Sequence, residues 1–162
     1  MKPSLEISDS RLIYRDGEIS EIWAVGVKDI VLIAEYTTDE GPQADDYYLV
    51  FASVEAGKAW FSTCSFYSDG TDAVFRTLRA QFGMPLEFGL LRSTHWDSRV
   101  IWPVHLAGSD YFQFTAVDPV GIWEMIRKAL LGPQFEYKPT EAVWSLIHSE
   151  VGAPTGLTTP AN

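Results

Sequence analysis

The sequence predicts an α+β domain: a mainly antiparallel, strongly bent sheet with two or three helices packed on it. Three observations carry that expectation. Apolar and β-branched runs separated by short turns fill the chain as far as Phe66, and short connections favour antiparallel neighbours because a parallel pair needs a long crossover. Beyond Asp69 the apolar period changes to that of a helix. A second helical stripe follows Asp118-Pro119 and ends at Gly132-Pro133.

In chain order, Leu5–Ile7 and Arg11–Arg15 flank a turn at Ser8-Asp9-Ser10, and Asp16-Gly17 turns the chain into the run Ile19–Val27. Ile30–Thr37 reads as a strand buried on both faces, its polar Glu35 appearing only near the end. Tyr47–Ser53 and Lys58–Phe66 follow as two more strands around Val54–Gly57. Asp69 is placed to cap a helix whose Val74, Phe75, Leu78 and Phe82 share one stripe, closed by Gly83 and Pro85. Val100–Leu106 and Tyr111–Val117 read as a hairpin through Ala107–Asp110. The stripe Ile122, Trp123, Ile126, Ala129 and Leu130 starts behind a cap at Asp118 with Pro119 at the first helical position. A third helix starts near Thr140 with Val143, Trp144, Ile147 and Val151 on one face. The expected organisation is one domain over residues 1–151 and a flexible Pro/Gly/Thr-rich tail over 152–162.

Composition narrows the class. A chain of 162 residues with 46% hydrophobic content has the material for one sizeable core. Its single cysteine, Cys64, makes no internal disulfide, which points to a reducing compartment. With no apolar leader at the N-terminus and no run of about 20 apolar residues, the expected location is cytoplasmic. The net charge is −10, and through Glu55 there are twelve acids against four bases. Between Lys28 and Lys58 there is no base at all. Such a field repels phosphate backbones and anionic lipid, so neither nucleic acid nor a membrane is expected as partner; it attracts a basic protein or a cation, and it also serves solubility.

Candidate chemistry is sparse. The acidic loop brings Asp39, Glu40, Asp45 and Asp46 within eight residues, but the spacing is not that of an EF-hand, and a solvated hairpin loop accounts for it. His95, His105 and His148 lack the i, i+4 spacing of a helical zinc pair, so no metal is expected. Ser93-Thr94-His95-Trp96-Asp97 contains the groups of a catalytic triad, yet residues so close along a chain rarely converge as a triad must. Cys64 sits mid-strand with no base beside it and reads as an inert buried thiol. No glycine-rich phosphate loop is present, and no cofactor is expected. Arg76, Arg79, Arg92 and Arg99 form the one basic grouping, suited to an anionic ligand or, as favoured here, to internal pairing with the acidic loop. Trp96, set between Arg92 and Arg99, is the tryptophan with most claim to exposure and to a role as interface anchor.

The run Tyr36-Thr37-Thr38-Asp39-Glu40-Gly41-Pro42 followed by Asp45-Asp46-Tyr47-Tyr48-Leu49-Val50-Phe51 resembles a T-T-x-x-G-P-x-x-x-D-x-x-x-V pattern of small uncharacterised bacterial proteins. That resemblance spans about residues 28–83 and implies no activity. The order of meander then helix also resembles pleckstrin-homology-like domains, which mostly bind other molecules. Two features depart from them: a helix interrupts the strands near residue 70, and acid replaces the basic hairpin of the lipid-binding members.

The resulting expectation is a non-enzymatic interaction protein whose acidic N-terminal half, through Asp39, Glu40, Asp45, Asp46 and Trp96, meets a basic protein, in the manner of an immunity protein or antitoxin. The rivals are an enzyme built on carboxylates and the Ser93–Asp97 segment, and a structural subunit of a homo-oligomer.

Overall fold

The computed structural model describes residues 2–17, 20–38, 45–83, 85–91, 93, 95–116 and 135–152. Nine strands lie in these segments: β1 (Ser4–Ser8), β2 (Arg11–Asp16), β3 (Ser20–Gly26), β4 (Ile30–Thr37), β5 (Tyr47–Glu55), β6 (Lys58–Ser65), β7 (Asp97–Trp102), β8 (Phe112–Ala116) and β9 (Phe135–Pro139). Two α-helices join them, α1 (Thr71–Phe82) and α2 (Glu141–Gly152), with a 3₁₀ turn at Val27–Asp29. The fold is α+β, and among the described residues the named strands pair antiparallel.

The strands form three sheets, ordered β1-β2-β3, β6-β5-β4-β7 and β8-β9. None of them is strongly curled, so the expected single, strongly bent sheet is replaced by separate layers. The reason lies in β4. Its Ile33 and the β5 residues Leu49 and Phe51 pack with Leu5, Leu12 and Val25 of the first sheet and with Val74, Phe75 and Leu78 of α1. Its Leu32 and Ala34 face the other way, toward Val50, Ala52, Val100, Tyr111, and Val143 and Ile147 of α2. A strand apolar on both faces demands cover on both faces. Stacked layers supply that cover where a sheet curled on itself would leave one side wet.

Helix α1 follows its stripe: Val74, Phe75 and Leu78 are buried, and Gly83 ends the helix in a left-handed conformation with its N–H on the Arg79 carbonyl. Its start differs from expectation. The cap is Gly70, at φ 88°, with no side-chain hydrogen bond. A Cβ there would run into the Leu5 carbonyl. Asp69 is drawn away from capping because its backbone bridges to the first strand, accepting from Leu5 N–H (2.8 Å) and donating to the Pro3 carbonyl (2.9 Å).

The hairpin expected between residues 100 and 117 does not form. Strand β7 pairs with β4, and β8 pairs with β9. Residues 103–110 are taken up by tight turns instead, with Leu106 and Ala107 N–H groups bonding to the Pro103 and Val104 carbonyls. Helix α2 begins one residue past Thr140 and buries Val143 and Ile147, while Trp144 is turned outward. The helix expected after Asp118 and the tail beyond Gly152 lie outside the described residues.

Candidate functional site

Antiparallel pairing on both sides of β4 gathers the C-terminal end of β4, the N-terminal ends of β5 and β7 and the end of β6 at one end of the middle sheet. Of the residues singled out from the sequence, Asp45, Asp46, Trp96 and Arg99 belong to described segments at this end. Thr37 pairs with both Tyr47 and Asp97, which places the β5 and β7 ends two strand spacings apart, about 10 Å.

At its centre is Glu35, with 0% of its surface open to solvent. The two strands flanking β4 and one loop supply its partners. Tyr47 of β5 donates its hydroxyl to Oε2. Gly89, in the loop between α1 and β7, donates its N–H to Oε1 at 2.7 Å. Arg99 of β7, directly opposite Glu35 in the register, places Nη1 3.6 Å from Oε1. The gross attraction of that ion pair is about 4–5 kcal/mol at an effective dielectric near 20, and desolvation of the carboxylate offsets much of it.

Gly89 allows close approach: a Cβ on it would meet the guanidinium of Arg99, which would have to shift away from its present place. An aromatic wall closes the other side, with Tyr47 stacked on Phe66 at 4.3 Å and Phe66 edge-on to Phe88 at 5.0 Å. Burial, then the hydrogen bond to Glu35 and its charge, push the Tyr47 phenol well above its ordinary 10.0. Tyr47 therefore stays a donor at neutral pH. Both oxygens of Glu35 are engaged, so the group acts as a pin between strands and loop.

Around this pin the surface is acidic and aromatic. Asp46 accepts the Tyr67 hydroxyl at 3.0 Å, and its backbone carbonyl receives the Thr38 N–H. Asp45 is exposed and holds the Tyr48 hydroxyl through its carbonyl. Tyr67 is exposed, and its phenol is also raised, by burial first and then by Asp46 and Asp45. Asp97 is exposed, with Oδ1 on the Ser98 N–H. Trp96 is half-buried and stacks on Tyr137 at 4.7 Å, a contact within the chain. Asp39, Glu40 and Arg92 lie outside the described residues.

Among the described residues, Arg79 and Arg99 turn to partners other than Asp45 and Asp46, while Arg92 and the loop acids Asp39 and Glu40 lie outside the described residues. Arg99 turns inward to Glu35. Arg79 donates Nε and Nη2 to the Leu86 carbonyl, tying the loop after α1 back onto the helix. Arg76 is exposed and lines a cleft of about 460 Å³ at the start of α1 with Tyr67, Asp69 and Asp72. The described members of the basic grouping, Arg76, Arg79 and Arg99, thus take separate places, because α1 and β7 carry them apart.

The Ser93–Asp97 segment does not converge on itself. Ser93 Oγ bonds the His95 carbonyl, which also receives the Thr37 hydroxyl at 2.6 Å. Cys64 is buried and its thiol is raised by that burial above its ordinary 9.0. Among the described residues no three His, Cys, Asp or Glu side chains come together as metal ligands, and no helix is long and apolar enough to cross a membrane. Reading β4 as a buried strand did not reveal the main feature, the partnership of Glu35 with Tyr47, Gly89 and Arg99. Its one visible signal was a carboxylate inside an otherwise apolar strand.

The opposite end of the sheet carries a second cleft, about 560 Å³, lined by Asp9, Ser10, Arg11, Lys28, Asp29 and Glu55 among others. Acids that form one base-free stretch in sequence are therefore split between two ends, with Glu35 buried between them.

Two outcomes follow for the buried pin. Arg99→Met leaves a buried carboxylate without its cation and lowers the unfolding free energy by about 3 kcal/mol; urea titration checks this, and Glu35→Leu added to that variant recovers part of the loss. A destabilisation under about 0.5 kcal/mol would show the pair to be idle. The second concerns alkali. The folded Tyr47 phenol has a raised pKa, so its contribution is complete below about pH 10 and falls as pH rises, because the unfolded phenol ionises first. Tyr47→Phe should flatten the decline in stability between about pH 10 and pH 11.5, and an unchanged slope would count against the assignment.

No family model, curated protein or solved structure matches the chain.

Proposed function

We propose that the protein is a non-enzymatic interaction module that binds a basic protein at the acidic end of its middle sheet, in the manner of a small neutralising protein. The observation that carries this reading is the pairing of exposed Tyr67 with Asp46, beside exposed Asp45. Acids and exposed aromatics side by side suit a lysine- or arginine-bearing partner, through charge and through contact of the cation with the ring face. Asp97 adds a further exposed carboxylate, and the nearby guanidinium of Arg99 is spent on Glu35. The pin beneath supports the reading too, since it fixes β4, β5, β7 and the 85–91 loop, so the surface is ordered before a partner arrives. Saturation of Glu35 by three donors weighs against general acid–base chemistry at this end.

A defined lysine-rich peptide, titrated calorimetrically, tests this. Binding should weaken steeply as salt rises from about 50 to about 300 mM. The double variant Asp45→Asn/Asp46→Asn should bind at least about fivefold more weakly, with Asp29→Asn/Glu55→Gln at the far end close to wild type. Equal losses from both double variants would mean that net charge alone attracts the peptide, and the reading would be dropped.

A further inference from the structure

Strand β6 lies at the edge of the middle sheet, and among the described residues nothing pairs with its outer side. Its turn fixes which backbone groups point outward. Ala56 and Gly57 both have positive φ, 50° and 73°, and Glu55 is opposite Lys58. In such a two-residue hairpin the flanking residues form a hydrogen-bonded pair, and pairs then alternate along the ladder. The bonded partners of β5 are therefore Lys58, Trp60, Ser62 and Cys64, a phase confirmed beyond the strand by Phe66 N–H on the Tyr47 carbonyl at 2.9 Å. Ala59, Phe61 and Thr63 turn their N–H and C=O groups away from the sheet. The Thr63 carbonyl is already occupied, by the Trp23 indole N–H at 2.9 Å. What remains open is a short edge at Ala59 and Phe61.

This edge differs from the rest of a chain of net charge −10. Between Glu55 and Asp69 the one charged residue is Lys58. It is also aromatic: Trp60 is 56% exposed on one face, and Phe61, 39% exposed on the other, meets exposed Trp144 edge-on at 5.8 Å. Exposed edge strands normally carry charges or a covering element that block pairing. Here a single lysine stands beside the turn.

We infer that the β6 edge pairs with the β6 edge of a second copy of this chain, antiparallel about a two-fold axis through Trp60. The register follows from the open groups. With Trp60 on the axis, Ala59 faces Phe61 of the second copy and Phe61 faces its Ala59, so both open residues on each strand become hydrogen-bonded pairs. A shift toward Thr63 would call on the carbonyl that Trp23 holds, and a shift toward Gly57 would run into the turn. In this register Thr63 lies opposite the Gly57 turn and needs no partner. Lys58 faces Ser62, so no like charges meet across the junction. The two Trp60 rings sit in a close, non-hydrogen-bonded pair, where aromatic cross-strand contacts are strongest. Absence of carboxylates along the edge lets two strongly acidic molecules approach there. The junction lies apart from the Asp45–Asp46 surface, so either can fail without the other.

Sedimentation equilibrium of the full chain from about 5 to about 500 µM tests the dimer. Wild type should pass from monomer to dimer over that range. Trp60→Glu puts two carboxylates face to face on the axis and should weaken association at least about tenfold, and Trp60→Lys should do the same. Because Trp60 faces its own counterpart, an equimolar mixture of the two variants should recover a one-to-one heterodimer. Trp60 is a surface residue, and circular dichroism of each variant checks that the fold is kept. In wild type, the Ala59 and Phe61 amides should exchange more slowly as concentration rises. A wild type that stays monomeric throughout would overturn the inference. So would a Trp60→Glu variant that associates as tightly as wild type, or a dimer whose Ala59 and Phe61 amides exchange as fast as in the monomer.

Discussion

A carboxylate with no surface open to water must be met by donors brought to it from elsewhere in the chain, and in this fold that requirement organises one end of the molecule. Glu35 receives a phenol from β5, a guanidinium from β7 and a backbone N–H from the irregular loop after α1. Those partners are 12, 64 and 54 residues away in sequence. Satisfying them fixes the order of three strands and the seat of the loop together. The loop has no ladder of its own, so Glu35, along with the Arg79 clasp on Leu86, stands where secondary structure would otherwise hold it.

The same pin redistributes charge. An acidic stretch without a single base looks from sequence like one negative surface. Folding buries one of its carboxylates against Arg99 and sends others to opposite ends of β4 and β5, with Asp29 and Glu55 at one end and Asp45 and Asp46 at the other. The guanidinium that might have neutralised the acidic end is directed inward. Aromatic side chains contribute in parallel: Tyr47, Phe66 and Phe88 wall the pin, while Tyr67, one residue past Phe66, emerges at the surface on Asp46. Interior order and surface character at this end therefore have a common origin.

Local signals made much of the fold legible in the sequence. The bounds of β4 follow from its apolar run, and Gly57 and Gly83 mark a turn and a helix end by backbone chemistry that few other residues perform. Pairing at a distance was not legible. Val100–Trp102 carries the pattern of a strand, but nothing in it says that its partner is β4 instead of the next strand along. Asp69 has the side chain of a cap, yet its backbone is claimed by β1. The described arginines illustrate the same point: Arg79 becomes a clasp, Arg76 a cleft wall and Arg99 the counter-ion of a buried carboxylate once helix and strand carry them apart. Of the candidate site, the acids Asp45 and Asp46 were visible by charge, whereas Tyr67 and Gly89 matter only through partners the fold supplies.

The amide of Gly89 offers the most direct measurement. It belongs to an exposed glycine in a segment without regular secondary structure, where exchange with solvent would ordinarily be fast. If Glu35 pins the loop as described, native-state hydrogen exchange should find that amide protected nearly as well as those of β4 and β5, opening only with global unfolding. Exchange at the rate of its unbonded loop neighbours would contradict the account at its centre.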